Sequence, residues 1–308
     1  MSKYIDLHTH TTISDGVLTP HELLTLAASY NLSVISITDH DSISAYTQKT
    51  IKFAAKLNIE LVPGIEFSTK DTHGNKYHIL GLFIDIRSQA LIKLTRKIHK
   101  QRVNEIRIMC NKLENLGWTI DADSILIQTK SPTKAHVSRS LIKNPKNKDL
   151  LLNTFETTTP TEGMVTESLL IRDKPAFVPT PNDINPQQAI DCIHKAKGLA
   201  ILAHPSFYIL KGNKIEDLFK NFLKLNIDGF EAINIQYDRS NHDKEIQHIT
   251  LLSKLCQKNG LLITGGSDFH SNNQKDMGKY IDLGFYNQKI KVNSTILKAL
   301  KHKLPMLN

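Results

Sequence analysis

The sequence has few cysteines and no long apolar run. Its three cysteines, Cys110, Cys192 and Cys256, are widely spaced and form no paired motif, so we expect reduced thiols rather than a disulfide framework. No apolar stretch approaches the roughly 20 residues that a membrane-spanning helix requires. The strand-like stretch 4–7 begins almost at once, with no signal-peptide pattern before it. The expectation is a soluble cytoplasmic protein without a membrane partner.

Three catalytic motifs are absent as well. The sequence contains no Gly-x-Ser-x-Gly turn, no Walker-type glycine-rich loop and no activated-cysteine motif. It also lacks internal repeats and low-complexity tracts. These absences disfavour a mechanism that depends on a nucleophilic side chain.

The composition is that of an ordinary globular protein. Of its 308 residues, 40% are hydrophobic and 22% are charged, which allows a large core in one domain that carries an insertion. The formal net charge of +9 predicts a surface that attracts anions such as phosphate esters or nucleic acid. No feature indicates an obligate protein partner.

Short β-rich runs alternate with helical patterns, which predicts βα units in a parallel sheet or barrel. The predicted strands are Tyr4–Leu7, Val34–Thr38, Glu60–Val62, Tyr77–Phe83, Leu199–Ala203, Gly229–Ile233 and Leu261–Thr264. A first helix is predicted to begin at Pro20 with Thr19 as its N-cap. Further helices are predicted at Ser44–Leu57 and Pro186–Lys197, and near Ile215–Leu225 and Asp243–Asn259.

Between residues 85 and 180 this alternation stops. Ala90–Leu116 has the pattern of one long basic helix that ends at Gly117, and shorter helical pieces follow. We therefore predict one α/β domain made of residues 1–84 and 181–308, with residues 85–180 as an inserted, mainly helical domain.

Side chains that bind metal ions lie at or just after the ends of the predicted strands. They comprise six histidines and three carboxylates, namely His8, His10, Asp15, His40, Glu66, His78, His204, Asp268 and His270. Residues i and i+2 of a strand project to the same side, so His8 with His10, and Asp268 with His270, can each face one pocket. Because the carboxyl ends of parallel strands converge at one face, we expect the nine side chains to form one metal centre.

This mixture of imidazoles and carboxylates suits Mn²⁺, Fe²⁺ or Zn²⁺. Such ions lower the pKa of bound water from about 15.7 toward 7 and stabilise charge on phosphoryl oxygens, so the set predicts a hydrolase that uses metal-bound hydroxide. Glu66 has no partner carboxylate nearby and is expected to bridge two ions. Two interpretations of Asp39 and Asp41 stay open. They orient the imidazoles of metal ligands, or they stabilise a turn.

Four motifs resemble those of the PHP (polymerase and histidinol phosphatase) superfamily of metal-dependent phosphoesterases: His8-Thr9-His10, Thr38-Asp39-His40, Ala203-His204-Pro205 and Ser267-Asp268-Phe269-His270. The resemblance implies a distorted (β/α)7 barrel with three divalent ions per chain, Mn²⁺ preferred. It assigns one ion to His8, His10, Glu66 and Asp268, a second to Glu66, His78 and His204, and a third to Asp15, His40 and His270. The implied catalytic residues are Glu66, Asp268 and His270.

The resemblance narrows to the subgroup of nucleoside 3′,5′-bisphosphate phosphatases and 5′→3′ exoribonucleases, over segments 6–15, 35–43, 61–66, 175–208 and 265–271. That subgroup carries a helical insertion with an Arg-x-His-x-x-Arg stretch near the substrate, which corresponds here to Lys134, His136 and Arg139. Apart from the resemblance, two interpretations of Ser14 stay open, a contact with the substrate phosphate and a structural role as a cap. The implied substrate is a phosphorylated nucleotide or short RNA, and the implied reaction is hydrolysis of the 3′-phosphate together with 5′-end trimming.

Three other functions stay open. A phosphatase for a small metabolite such as histidinol phosphate would not need the insertion. An amidohydrolase would have no evident use for the third metal group of Asp15, His40 and His270. A non-catalytic scaffold of the same fold would be expected to have lost ligands, whereas all nine are present.

Overall fold

The computed structural model describes residues 4–180, 183–235, 242–271, 282–285 and 292–304. Seven strands form one sheet in chain order, and each overlaps a predicted strand. Their bounds are β1 Tyr4–Thr9, β2 Leu32–Ile37, β3 Glu60–Lys70, β4 Lys76–Leu82, β5 Leu199–Leu202, β6 Gly229–Ile233 and β7 Leu262–Gly265.

The expectation of a parallel sheet is wrong at β4. This strand runs antiparallel to both β3 and β5, whereas the other neighbouring pairs are parallel. The cause is the short turn 71–75 between β3 and β4, in which Asp71 Oδ1 accepts from the backbone N–H groups of His73 and Asn75. A parallel connection needs a crossover of a dozen or more residues, so a turn this short reverses the chain.

The two ends of the sheet meet. Thr9 of β1 forms a parallel bridge with Phe269, just after β7, and His10 N donates to Phe269 O at 2.8 Å. The strand order therefore closes into a ring, and the fold is the expected distorted (β/α)7 barrel with a helical insertion.

Twelve α-helices lie in the described part of the chain: α1 Pro20–Ser29, α2 Gln48–Lys56, α3 Gln89–Asn115, α4 Ala122–Gln128, α5 Lys134–Lys143, α6 Lys148–Phe155, α7 Glu162–Val165, α8 Pro186–Lys195, α9 Pro205–Leu210, α10 Ile215–Leu223, α11 His242–Lys258 and α12 Ser294–Lys303. Thr19 caps α1 as predicted, in a capping box with Glu22. The second helix begins later than predicted because Thr47 accepts from Thr50 N as its N-cap. None of these helices is long and apolar enough to cross a bilayer.

The helices between β4 and β5 have a hydrophobic cluster of their own. It contains Met109, Leu113 and Trp118 beside Val137 of α5 and Leu170. The first half of α3 packs differently, because its Leu91 and Ile98 join the cluster that covers the outside of the barrel against α8. The long helix thus connects the insertion to the barrel. The domain boundaries at 84/85 and 180/181 remain a prediction.

Candidate metal centre

The structure brings all nine predicted ligands together at one end of the barrel. Most of them follow the carboxyl ends of strands, but His78 lies near the start of β4. Because β4 runs antiparallel to its neighbours, its first residues reach the same end as the last residues of the other strands. The side chains of His8, His10 and Glu66 are completely buried.

One group consists of His8, His10, Glu66 and Asp268, all within reach of a single ion. His8 Nε2 lies 3.3 Å from both Glu66 Oε1 and Asp268 Oδ1, and His10 Nε2 lies 3.2 Å from Glu66 Oε2 and Asp268 Oδ1. Ligand atoms about 2.0–2.1 Å from a tetrahedral ion are separated from each other by about 3.3 Å. These observed spacings therefore fit a divalent metal site.

Glu66 lies between this group and a second one. Its Oε1 is 3.1 Å from His78 Nδ1 and 3.2 Å from His204 Nε2, and its Oε2 is 3.0 Å from His40 Nδ1. The two oxygens of one carboxylate thus face different imidazoles. This is the arrangement expected of a bridging ligand.

The third group contains Asp15, His40 and His270, as predicted, and His10 in addition. Asp15 Oδ1 lies 3.4 Å from His270 Nε2, and its Oδ2 lies 3.7 Å from His40 Nε2. His270 Nδ1 is 2.8 Å from the carbonyl oxygen of Asp268, which fixes the ring with Nε2 toward Asp15.

Several ligand atoms are buried without a hydrogen bond. Among the described residues these include Asp15 Oδ1, His40 Nδ1 and Glu66 Oε2. A buried polar atom without a partner costs free energy, so such atoms are rare outside sites that bind something. The donor set and its unsatisfied atoms fit divalent cations.

The electrostatics of the cluster also favour a bound cation. Burial alone would raise the pKa of Glu66, but the imidazoles of His8, His40 and His78 hold it well below its usual range. Burial opposes protonation of His10, yet the carboxylates of Asp268 and Glu66 beside its ring raise the pKa of His10 to about 10. The carboxylates thus keep their negative charge and attract any available cation, including a proton on a neighbouring ring.

The backbone at the site is held in unusual conformations. His204 has φ of 32° and Asp268 has φ of 52°, a region that side chains with a Cβ rarely adopt. Such strain costs about 1–3 kcal/mol per residue and is characteristic of functional sites. Gly266 is needed for a different reason, because a Cβ there would lie 2.3 Å from His8 Cβ.

Glu231, a buried carboxylate on β6, was not predicted from the sequence. Its Oε1 is 3.0 Å from His8 Nδ1, and its Oε2 accepts from His204 N at 2.8 Å. A proton on His8 Nδ1 satisfies this contact and leaves Nε2 as the metal-binding atom. The available signal was a charged residue within an apolar strand, but only the fold reveals its partners.

Two further buried aspartates support the ligands indirectly, Asp6 and Asp39. Asp6 accepts from Ser267 N and Oγ and from His8 N, and so joins β1 to the segment that carries Asp268. Burial raises the pKa of Asp6 to about 6, although these hydrogen bonds oppose the shift.

Asp39 and Asp41 do not orient imidazoles directly. Asp39 accepts from Thr11 N, Thr11 Oγ and Ser14 Oγ, while Asp41 pairs with Arg102 of α3 and accepts from Ser68 N. Ser14 is completely buried behind His10, with its hydroxyl 3.3 Å from His10 Nδ1. Its hydroxyl therefore faces the scaffold rather than open space.

A cavity of about 330 Å³ opens beside Asp15, His40 and His78. Of the predicted substrate residues, Lys134 is in its wall, whereas His136 and Arg139 are not among the described lining residues. Arg139 pairs with Glu162 at 2.6 Å and donates to Asp15 O. His136 Nδ1 accepts from Thr133 N at the start of α5, and burial lowers the pKa of His136 to about 4.

The fold and the cluster together define a metal-binding α/β barrel protein. The sequence profile described as "PHP domain" matches residues 6–165, and the chain belongs to this family. It is 30% identical over 268 residues to the 5′-3′ exoribonuclease Rnm of Escherichia coli, covering 86% of this chain and 84% of that one. It is 28% identical over 284 residues to the 3′,5′-nucleoside bisphosphate phosphatase of Chromobacterium violaceum, covering 91% and 92%.

A solved structure of a protein from Bifidobacterium adolescentis has a similar fold. Its TM-score is 0.75 at 20% identity, covering 98% of this chain and 97% of that one. The chain is therefore a metal-dependent phosphoester hydrolase, as its family and the named activities of its relatives show.

Proposed function

We propose that the protein hydrolyses the 3′-phosphate of nucleoside 3′,5′-bisphosphates to give 5′-nucleotides, and trims short RNA from the 5′ end. The observation that carries this proposal is the cavity that opens directly beside the cluster of predicted metal ligands and has Lys76 and Lys134 in its wall. Relatives named as a bisphosphate phosphatase and as exoribonucleases support the same substrate class. The free, buried cysteines favour a cytoplasmic location.

Three divalent ions are proposed, with Mn²⁺ preferred over Fe²⁺ or Zn²⁺. The groups that would hold them are the ones described above, with Glu66 shared and His204 beside its Oε1. When bound, such ions make hydroxide available near neutral pH and stabilise the charge that develops on phosphoryl oxygens.

The side chains around the cluster position the substrate and the ligands. Asp268 contributes Oδ1 to the group with His8 and His10, and its carbonyl oxygen orients the His270 ring. Glu66 stays ionised at the centre of the site. We therefore propose Glu66, Asp268 and His270 as the residues whose loss most directly affects the reaction.

The first test measures phosphate release from adenosine 3′,5′-bisphosphate by the Mn²⁺-loaded protein, with the nucleotide product identified by chromatography. We expect 5′-AMP, and we expect Asp268→Asn to lower kcat/KM by about 100-fold or more because it removes a charged ligand. Asp123→Asn is the control, since its side chain is 75% exposed on α4.

No release from metal-loaded protein would sink the substrate assignment. Turnover of histidinol phosphate would then favour the metabolite phosphatase. Metal content separates the remaining alternatives, because an amidohydrolase would bind one or two ions rather than about three, and a scaffold would hydrolyse none of the phosphoesters.

A further inference from the structure

The β3–β4 hairpin extends beyond the metal cluster toward the mouth of the cavity. Ser68 pairs with His78 across the two strands, and Lys70 pairs with Lys76 two residues further outward. Alternate residues of a strand project to the same side, so Lys76 lies on the same face as the ligand His78. The two Cα positions are separated by about 7 Å along the strand. This length is comparable to the separation of the two phosphates on one ribose.

Lys76 and Lys134 approach the same cavity from different parts of the fold. Lys76 comes from the barrel and Lys134 from the first turn of α5 in the insertion, and both are in the cavity wall with His78. Two ammonium groups therefore line the same wall.

The other charged groups nearby are already engaged. Lys134 pairs with Glu105 at 2.7 Å, Lys70 lies 3.8 Å from Asp183, and Arg102 is bonded to Asp41. The side chain of Lys76 makes no hydrogen bond or ion pair with any described residue, although the carboxylates of Asp183 and Glu105 attract it. An anion between Lys76 and Lys134 would relieve their repulsion.

We propose that Lys76, together with Lys134, binds the phosphate that is not cleaved. This inference rests on the proposed function, since it requires that the scissile phosphate lie at the metal cluster. The ligand is a phosphomonoester on the ribose 5′ position, on either a free nucleotide or the 5′ end of an RNA strand. Arg139 is not assigned to this phosphate, because it pairs with Glu162 and is not among the described residues that line the cavity.

The same site explains how one enzyme could act on both substrates. A nucleoside 3′,5′-bisphosphate and a 5′-phosphorylated RNA present the same 5′-phosphate, followed by a phosphorus at the 3′ position. Recognition of the first group places the second at the metal cluster in both cases. Lys76 then determines specificity, because it selects substrates in which the two phosphates have the right separation.

The experiment compares kcat/KM for adenosine 3′,5′-bisphosphate with kcat/KM for adenosine 3′-monophosphate, which has the same scissile group and lacks the 5′-phosphate. In Lys76→Met the ratio of the two should fall about 10- to 100-fold, the effect of losing one charge-assisted hydrogen bond. Lys76→Arg should restore most of the ratio. The inhibition constant of adenosine 5′-monophosphate should rise by a similar factor in Lys76→Met.

Lys70→Met is the matched control, because it removes the same charge from the paired position of the hairpin, outside the cavity wall. Its substrate ratio should change less than about 3-fold, the size expected when a weak ion pair such as that of Lys70 with Asp183 is lost. An unchanged ratio in Lys76→Met, or an equal fall for both substrates, would overturn the inference and leave the proposed function intact. Failure of the wild type to hydrolyse either substrate would instead refute the proposed function, and this inference with it.

Discussion

Glu231 shows how a single residue controls the metal centre without belonging to it. One oxygen accepts from the imidazole of His8 and the other from the backbone of His204. Replacement by Gln keeps the size but puts an NH₂ group opposite a donor. We expect Glu231→Gln to weaken Mn²⁺ binding by about 10- to 100-fold, the usual cost of losing a group that orients a ligand.

This loss of affinity is measured by calorimetric titration of metal-free protein with Mn²⁺. The control is Glu114→Gln, an exposed carboxylate near the end of α3. Equal affinities for the wild type and Glu231→Gln would show that His8 is positioned without help from Glu231.

The sequence was sufficient to predict that nine imidazole and carboxylate side chains gather at one site, because their motifs place them at the ends of recognisable strands. It was insufficient for Glu231 and Asp6, since a lone carboxylate in an apolar strand does not indicate which group it faces. Ser14 had two interpretations in the sequence, a phosphate contact and a structural cap, and the structure places its hydroxyl beside Asp39 and His10.

At the scale of elements, the sequence predicted where the strands lie but not the direction of β4. Strand periodicity is the same for either direction, and the turn at 71–75 determines the reversal. His78 therefore reaches the cluster from the beginning of its strand rather than from the end. Helices α9 and α12 were also not predicted. Helix α9 is short and begins directly after His204, a predicted metal ligand.

Helix α3 is attached to the metal centre through Arg102. Its guanidinium pairs with Asp41, donates to Ser68 Oγ at 3.1 Å and to Pro132 O at 3.2 Å. Asp41 is only 1% exposed and its N–H donates to Glu66 O. Arg102→Met should lower the free energy of unfolding by about 3–5 kcal/mol, because it leaves a buried carboxylate without its partner.

Urea denaturation in the presence of a chelator measures this effect without a contribution from metal binding. Arg107→Met on the same helix is the control, because its pair with Asp123 is exposed and should contribute less than about 1 kcal/mol. Similar losses for the two variants would mean that Arg102 acts as an ordinary surface charge.

The whole molecule carries a net charge of +9, and α3 presents part of it on one exposed face. The cations of this face follow helical spacing and are Lys93, Arg96, Lys97 and Lys100. No acidic residue occurs in α3 before Glu105. The face adjoins the cavity at Gln101, which lines both. No aromatic side chain is among its described lining residues, so a bound strand would be held by its phosphates and not by base stacking.

We therefore expect RNA longer than the cavity to depend on this face, whereas a single nucleotide should not. In a fourfold variant with Gln in place of Lys93, Arg96, Lys97 and Lys100, the KM for a 5′-phosphorylated oligonucleotide should rise. The slope of log KM against the logarithm of salt concentration should also decrease in magnitude. The expected decrease is about 0.7 for each phosphate that the protein no longer neutralises. The measurement is KM across a salt series for the oligonucleotide and for adenosine 3′,5′-bisphosphate.

The control must remove the same charge elsewhere, because lowering the net charge alone weakens attraction to any anion. Suitable exposed positions lie on α2 and α11, namely Lys49, Lys52, Lys56 and Lys258. Local binding predicts a change in salt slope only for the α3 variant, whereas long-range attraction predicts equal changes for both. Equal changes would assign the salt dependence to the overall charge of the protein and exclude α3 as a binding surface for RNA.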